Sequence, residues 1–224
     1  MEIKILENKT EVAKSFSAYF AELVQSQEQL FVALSGGSTP KTVFDYLASE
    51  YRNKIDWSKV FFFWGDERCV PPTDSESNYK MTVDHLLSKI SIPEANVFRV
   101  LGENDPEEEA LRYAELLDKT LPLEKGIPQF DLVILGMGDD GHTASIFPNS
   151  IYLWDSSRNC KVATHPDSGQ KRVTITGRVI NQKEKVREVI RREGEYNSYP
   201  ASMVNPSSDS LVWYLDQEAA QEIK

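Results

Sequence analysis

Cysteine and histidine are scarce in this chain. Cys69 and Cys160 are the two thiols among 224 residues, which is no disulfide framework and no metal cluster. With only His85, His142 and His165 beside them, no Cys/His group has zinc-site spacing. Long apolar runs are missing too: none approaches the ~18 residues of a membrane helix. The opening segment MEIKILENKT lacks the apolar core of a signal peptide. These absences predict a cytoplasmic protein with no membrane partner. Positive charge is in deficit, with 25 Lys and Arg against 35 Asp and Glu and a net charge of −10. A nucleic-acid backbone needs a basic surface, so no nucleic-acid partner is expected. An anionic small molecule feels only its local site and is not excluded. Neither a Walker A loop nor a G-x-S-x-G elbow is present, so serine-nucleophile chemistry has no support.

What is present reads as a soluble, globular chain with 40% hydrophobic and 27% charged residues. Residues 1–224 show no repeat, no low-complexity tract and no splitting linker, and one domain is expected. Val12, Phe16, Tyr19, Phe20 and Leu23 recur at helical spacing, predicting a helix over about 11–27 with Thr10 as its cap. The runs Leu30–Leu34, Val60–Trp64 and Leu132–Leu135 read as buried strands. Helices are expected after Pro40, over about 77–89, and over about 106–120 behind Asp105 and Pro106. Further strands are expected at 161–164, 172–176 and 211–215, with a helix at 186–190 and another at the C-terminus. Alternation of this kind predicts an α/β fold, a mainly parallel sheet flanked by helices.

In open parallel sheets ligands bind beyond the carboxyl ends of the strands, and three strands here end in polar, glycine-bearing loops. Ser35-Gly36-Gly37-Ser38-Thr39-Pro40 suits a phosphate, because glycine lets the backbone approach, Ser38 and Thr39 carry hydroxyls, and a helix N-terminus follows. An ordinary strand-to-helix turn explains it equally well. Gly136, Gly138 and Gly141 match the dinucleotide fingerprint. Yet Pro148 leaves little room for the usual helix, and no acidic residue stands about 20 positions on, which disfavours a nicotinamide site. His142 lies beside Asp139 and Asp140, where a carboxylate can orient an imidazole acting as general base. The alternative is a loop histidine bound to backbone. His85 and His165 read as structural or surface residues. Asp66, Glu67 and Arg68 are either a solvated charge cluster or part of a site. Arg172 either clamps phosphate through its guanidinium fork or caps an edge strand.

Together, Leu34–Pro40, Trp64-Gly65-Asp66-Glu67-Arg68-Cys69-Val70-Pro71 and Gly136–Pro148 resemble, in this order, the signature segments of the 6-phosphogluconolactonase family. Ser77-Asn78 and Arg172 fit the same pattern, and the likeness spans roughly residues 10 to 220. The resemblance implies a fold of the glucosamine-6-phosphate deaminase and ribose-5-phosphate isomerase type. It also implies hydrolysis of 6-phospho-D-glucono-1,5-lactone, in the oxidative pentose phosphate pathway, without metal or cofactor. A sugar-phosphate substrate and a monomer or weak homodimer are then expected. On this reading His142 is the general base and Asp140 orients it. Asp66 contacts sugar hydroxyls and Arg68 stabilises the developing oxyanion. Gly36, Gly37, Ser38, Thr39 and Arg172 hold the 6-phosphate. Deaminases of the same fold carry glutamate where this chain has Phe147, which cannot titrate, so the lactonase is favoured over the deaminase. A sugar-phosphate sensor domain would need a DNA-binding module for which this chain has no spare length.

One stretch departs from the family pattern. An apolar strand and a lysine-bearing turn are expected after Val179-Ile180-Asn181-Gln182, yet the chain passes directly to Lys183-Glu184-Lys185. Losing an internal strand would expose core and backbone donors. The expectation is therefore that residues are absent between Gln182 and Lys183, and Lys183 is given no role.

Overall fold

The computed structural model describes residues 2–181, 199–206 and 210–221. In chain order the main elements are β1 (Glu2–Leu6), α1 (Lys9–Ser26), β2 (Leu30–Leu34), α2 (Ser38–Tyr46), β3 (Val60–Trp64) and β4 (Asp66–Arg68). Then come α3 (Asn78–His85), β5 (Val97–Phe98), α4 (Pro106–Thr120), a small hairpin β6 (Leu123–Glu124) and β7 (Ile127–Pro128), and β8 (Leu132–Val133). The last are β9 (Cys160–Thr164), β10 (Lys171–Ile175), α5 (Gly177–Ile180) and β11 (Val212–Asp216).

A parallel sheet of order β5-β3-β2-β8 forms the centre. Leu30 pairs with Val60 and Leu34 with Trp64, so β2 and β3 end level with each other. Both are apolar on both faces, and Leu30, Val32, Val60, Phe62, Phe63 and Trp64 are fully buried, as expected of strands covered by helices on either side. Phe16, Phe20 and Val24 from α1 and Tyr113 and Leu117 from α4 join the same apolar core. Tyr113 has a second task. Its hydroxyl accepts from the Trp64 N–H at 2.8 Å and donates to the Trp64 carbonyl at 3.1 Å. Burial holds this phenol neutral by raising its pKa well above 10. The end of β3 is thereby locked just before the chain reaches Asp66.

The chain runs from β2 to β3 on one side of β2, and later enters β8 on the other side. The crevice beyond the ends of β2 and β8 is thus the topological switch point, where such sheets bind ligands. After β3 the chain does not turn back. Gly65 donates to Leu34 O and accepts from Ile175 N, both at 2.8 Å, and the same stretch continues as β4 in an antiparallel sheet of order β4-β10-β9.

Local signals account for most boundaries, with four differences. Helix α1 is capped by Asn8, whose side chain accepts from Glu11 N at 3.0 Å, not by Thr10, since asparagine is the stronger cap. Helix α3 stops at His85, because Leu86 leaves helical geometry, and a short 3₁₀ turn follows at Leu87–Lys89. Strand β8 is shorter than the apolar run suggests, although Ile134 N still donates to Ala33 O at 2.9 Å. Residues 217–221 form turns instead of a helix; Asp216 accepts from Ala219 N at 2.8 Å, closing a local turn that competes with helix nucleation.

Among the described residues nothing pairs with the outer edge of β8, and β11 pairs only with β1. The Gln182–Lys183 junction and the helix expected near 186–190 lie outside the described residues. Among the described residues no helix is long and apolar enough to cross a membrane.

Candidate active site

Asp66 begins β4 and is 5% exposed. Its Oδ2 accepts from Ser145 Oγ at 2.6 Å, and its Oδ1 faces Asn78 Nδ2 at 3.4 Å. Ser145 belongs to the loop after β8 and Asn78 opens α3, so one buried carboxylate ties two of the three candidate loops together. Asn78 also explains Gly36. A Cβ at Gly36 would lie 1.9 Å from Asn78 Oδ1, so the first loop can pass here only without a side chain. On its other flank, the Gly36 carbonyl lies 3.8 Å from where a Cβ on Gly136 would sit. The three loops therefore converge at the switch point.

Gly37 has φ 115° and precedes α2 without any side-chain cap bond. That conformation favours glycine, and it leaves the first amides of the helix available to an anion. Ser38 is exposed and Thr39 half-buried at the rim; Lys9 Nζ donates to Ser38 Oγ at 3.4 Å.

Glu67 points away from Asp66, as alternation along a strand requires. It is 2% exposed and accepts from the backbone of Arg68, Asn78 and Tyr79 at 2.8 Å and from Ser77 Oγ at 3.0 Å. Burial lifts its pKa, and these donors only partly offset that. Its job is to pin the start of α3, and with it Asn78, against β4. Gln at this position would aim an NH₂ at donors. Glu67→Gln is expected to cost about 1–3 kcal/mol of stability, read as a lower urea midpoint at unchanged m-value; an unchanged midpoint would refute this role.

The third loop carries His142. Its ring Nδ1–H donates to Asp140 Oδ1 at 2.5 Å, and its backbone N–H donates to the same oxygen at 3.1 Å. Burial pushes the Asp140 pKa up, but these bonds to His142 outweigh it and hold the pKa below the usual aspartate value. Asp140 is thus a carboxylate at any pH near neutral, and the Nε2 lone pair of His142 is left for chemistry. Gly138 is required here: a Cβ would lie 2.2 Å from His142 Cε1. Gly141, with φ 76°, is covered by Tyr199, and its carbonyl accepts from Ala201 N at 2.9 Å. No long helix follows these glycines; the chain enters a short 3₁₀ segment at Pro148–Leu153, consistent with the reading against a dinucleotide site.

Phe147 organises the other side. Its buried ring is 4.8 Å from the His142 ring and 5.1 Å from that of His165, and the Arg172 guanidinium sits 5.4 Å from it. Arg172 pairs directly across the β4–β10 ladder with Arg68. Burial and then the neighbouring Arg68 charge lower the Arg172 pKa. Two guanidiniums are therefore held side by side near the catalytic candidate.

Contacts thus link Gly36, Asp66, Asp140, His142, Arg68 and Arg172 around one crevice, while Gly37, Ser38 and Thr39 follow Gly36 at its edge. His165, expected to be structural or superficial, packs into the site through Phe147. Nothing in the sequence signals that contact, because it depends on the β9–β10 turn folding over the third loop. His85 does act structurally, with its Nδ1 at 2.8 Å from Asp45 Oδ1, joining α3 to α2. Among the described residues no group of three or more His, Cys, Asp and Glu gathers at metal-binding range.

Fold and site define an α/β protein with a crevice at the switch point of a parallel sheet, lined by two arginines and a histidine–aspartate pair. Residues 7–213 match the family of glucosamine-6-phosphate isomerases and 6-phosphogluconolactonases, and the chain belongs to it. It is 48% identical over 221 residues to a 6-phosphogluconolactonase of Treponema pallidum, covering 98% of this chain and 92% of that protein. Among solved structures, one described as devB protein is 40% identical with a TM-score of 0.92, over 100% of this chain and 99% of that one. A 6-phosphogluconolactonase from Trypanosoma brucei is 27% identical with a TM-score of 0.81, over 100% and 98% of the two chains.

Proposed function

We propose that this protein hydrolyses 6-phospho-D-glucono-1,5-lactone to 6-phosphogluconate, a step of the oxidative pentose phosphate pathway, and does so in the cytoplasm. The observation that carries the reading is the His142–Asp140 pair standing in one crevice with Arg68 and Arg172.

A lactone is an activated ester, so a positioned water and a base suffice. His142 Nε2 takes a proton from water as the water oxygen bonds to the lactone carbonyl carbon. The C1–ring oxygen bond of the tetrahedral intermediate then breaks, and the histidine returns its proton to the departing ring oxygen. Asp140 fixes the tautomer and steadies the imidazolium. Asp66 meets the sugar hydroxyls. The family resemblance implies Arg68 at the oxyanion, but its place opposite Arg172 favours a different assignment. Both guanidiniums, with Gly36, Gly37, Ser38, Thr39 and the N-terminus of α2, hold the dianionic phosphate. Remote binding of that kind orients the reacting carbon. Phe147 supports the lactonase over a deaminase, since an apolar ring occupies the flank of His142.

The test is lactone hydrolysis by pure protein, coupled to oxidation of the product 6-phosphogluconate and corrected for spontaneous opening. Acceleration is expected, with no ammonia released from glucosamine 6-phosphate. Deamination, or no acceleration, would overturn the proposal.

A further inference from the structure

The two site arginines repel each other, and each is bonded to an uncharged acceptor, Arg68 to a backbone carbonyl and Arg172 to a glutamine. A bridge of hydrogen bonds spans them. Arg68 Nη1 donates to the backbone carbonyl of Glu76 at 2.6 Å. The side chain of that same Glu76 accepts from Gln170 Nε2 at 3.0 Å. Gln170 Oε1 in turn accepts from Arg172 Nε at 3.2 Å. Glu76 lies in the loop before α3 and Gln170 in the turn between β9 and β10, 94 residues apart. That turn is itself closed by His165 N donating to Gln170 O and Gly169 N donating to His165 O.

This geometry has a chemical consequence. Arg172 is held through Nε, and among the described residues its two terminal nitrogens have no hydrogen-bond partner, which leaves them to an anion. Arg68 is held, among the described residues, through Nη1 alone. A glutamine in the middle is suited to the task, because it donates to a carboxylate at one end and accepts from a guanidinium at the other. A carboxylate in its place would neutralise the arginine it steadies, and a lysine would repel it.

We propose that Gln170, with Glu76, is a positioning residue that sets Arg68 and Arg172 as one clamp for the substrate phosphate. The inference rests on the lactonase reading, and adds to it the residues that define preference for phosphorylated over unphosphorylated lactone.

Gln170→Leu removes both bonds at nearly the same volume. The expected result is a KM for the phosphorylated lactone raised about 3- to 10-fold, a kcat within about twofold, and unchanged kcat/KM on unphosphorylated gluconolactone. Glu76→Ala should repeat this pattern, whereas Glu76→Gln, which keeps an acceptor oxygen, should stay close to the parent. A merely structural role predicts parallel losses on both lactones, and that outcome, or an unmoved KM, would overturn the proposal. Calorimetric binding of 6-phosphogluconate to parent and Gln170→Leu proteins separates the two ideas. Weaker binding in the variant supports the clamp even if the parent turns over no lactone, a result that would defeat only the lactonase reading. Equal binding refutes the clamp.

Discussion

Replacement of His142 by alanine is expected to lower kcat by about 10²- to 10⁴-fold, with little change in KM. The argument starts from hydrogen-bond capacity. Nδ1 is committed to Asp140, so the free nitrogen is Nε2, and only one tautomer fits. The ring is backed by Phe147 and hemmed by Gly138, so it has little freedom to turn. No other imidazole can substitute, because His165 uses its Nδ1 to accept from Asp167 N and Ser168 N at 3.3 Å. That leaves its Nε2 protonated, a donor and not a base. Steady-state rates of pure His142→Ala protein check the claim; near-full activity would remove His142 from the chemistry. Asp140→Asn should also lose heavily, by about 10²- to 10⁴-fold in kcat, because an amide NH₂ facing Nδ1 leaves the ring proton on Nε2 and removes the base.

Arg172→Ala is expected to reduce kcat/KM for the phosphorylated lactone by about 10- to 100-fold, the equivalent of about 1.5–3 kcal/mol for charge-assisted hydrogen bonds. The loss should fall mainly in KM and spare the unphosphorylated lactone. Stability should change little. The substitution removes the cation–π contact with Phe147, but it also relieves the repulsion from Arg68 and the desolvation of a charge that is 8% exposed. Those contributions have opposite signs. If the preference for the phosphorylated lactone survives, Arg172 is not a phosphate ligand.

Much of the fold was legible because the relevant signals are local. The apolar runs of β2 and β3 and the Asp105–Pro106 start of α4 specify their elements from within a few residues. The Asp-Gly-His and Ser-Gly-Gly loops could be placed at strand ends for the same reason. What was not legible depends on register between distant segments. Arg68 faces Arg172 only because β4 pairs with β10 as it does, and no spacing in the sequence encodes that. The sequence leaves Glu67 open between a solvated loop charge and part of a site, since its donors come from residues 68 to 79 folded around it. His165 and Gln170 gained their places from a turn that closes over Phe147.

The passage of one strand from the parallel sheet into the antiparallel one at Gly65 also constrains how this protein can change. Asp66, Glu67 and Arg68 alternate between the crevice and the interior. One residue inserted or deleted between Trp64 and Asp66 would turn every one of them around. The crevice would receive the capping glutamate, and the interior would receive an unpaired aspartate and a guanidinium. Since Trp64 is clamped by Tyr113 and Gly65 is bonded on both sides, no slack exists nearby to absorb the slip. The junction should therefore tolerate changes of side chain far better than changes of length.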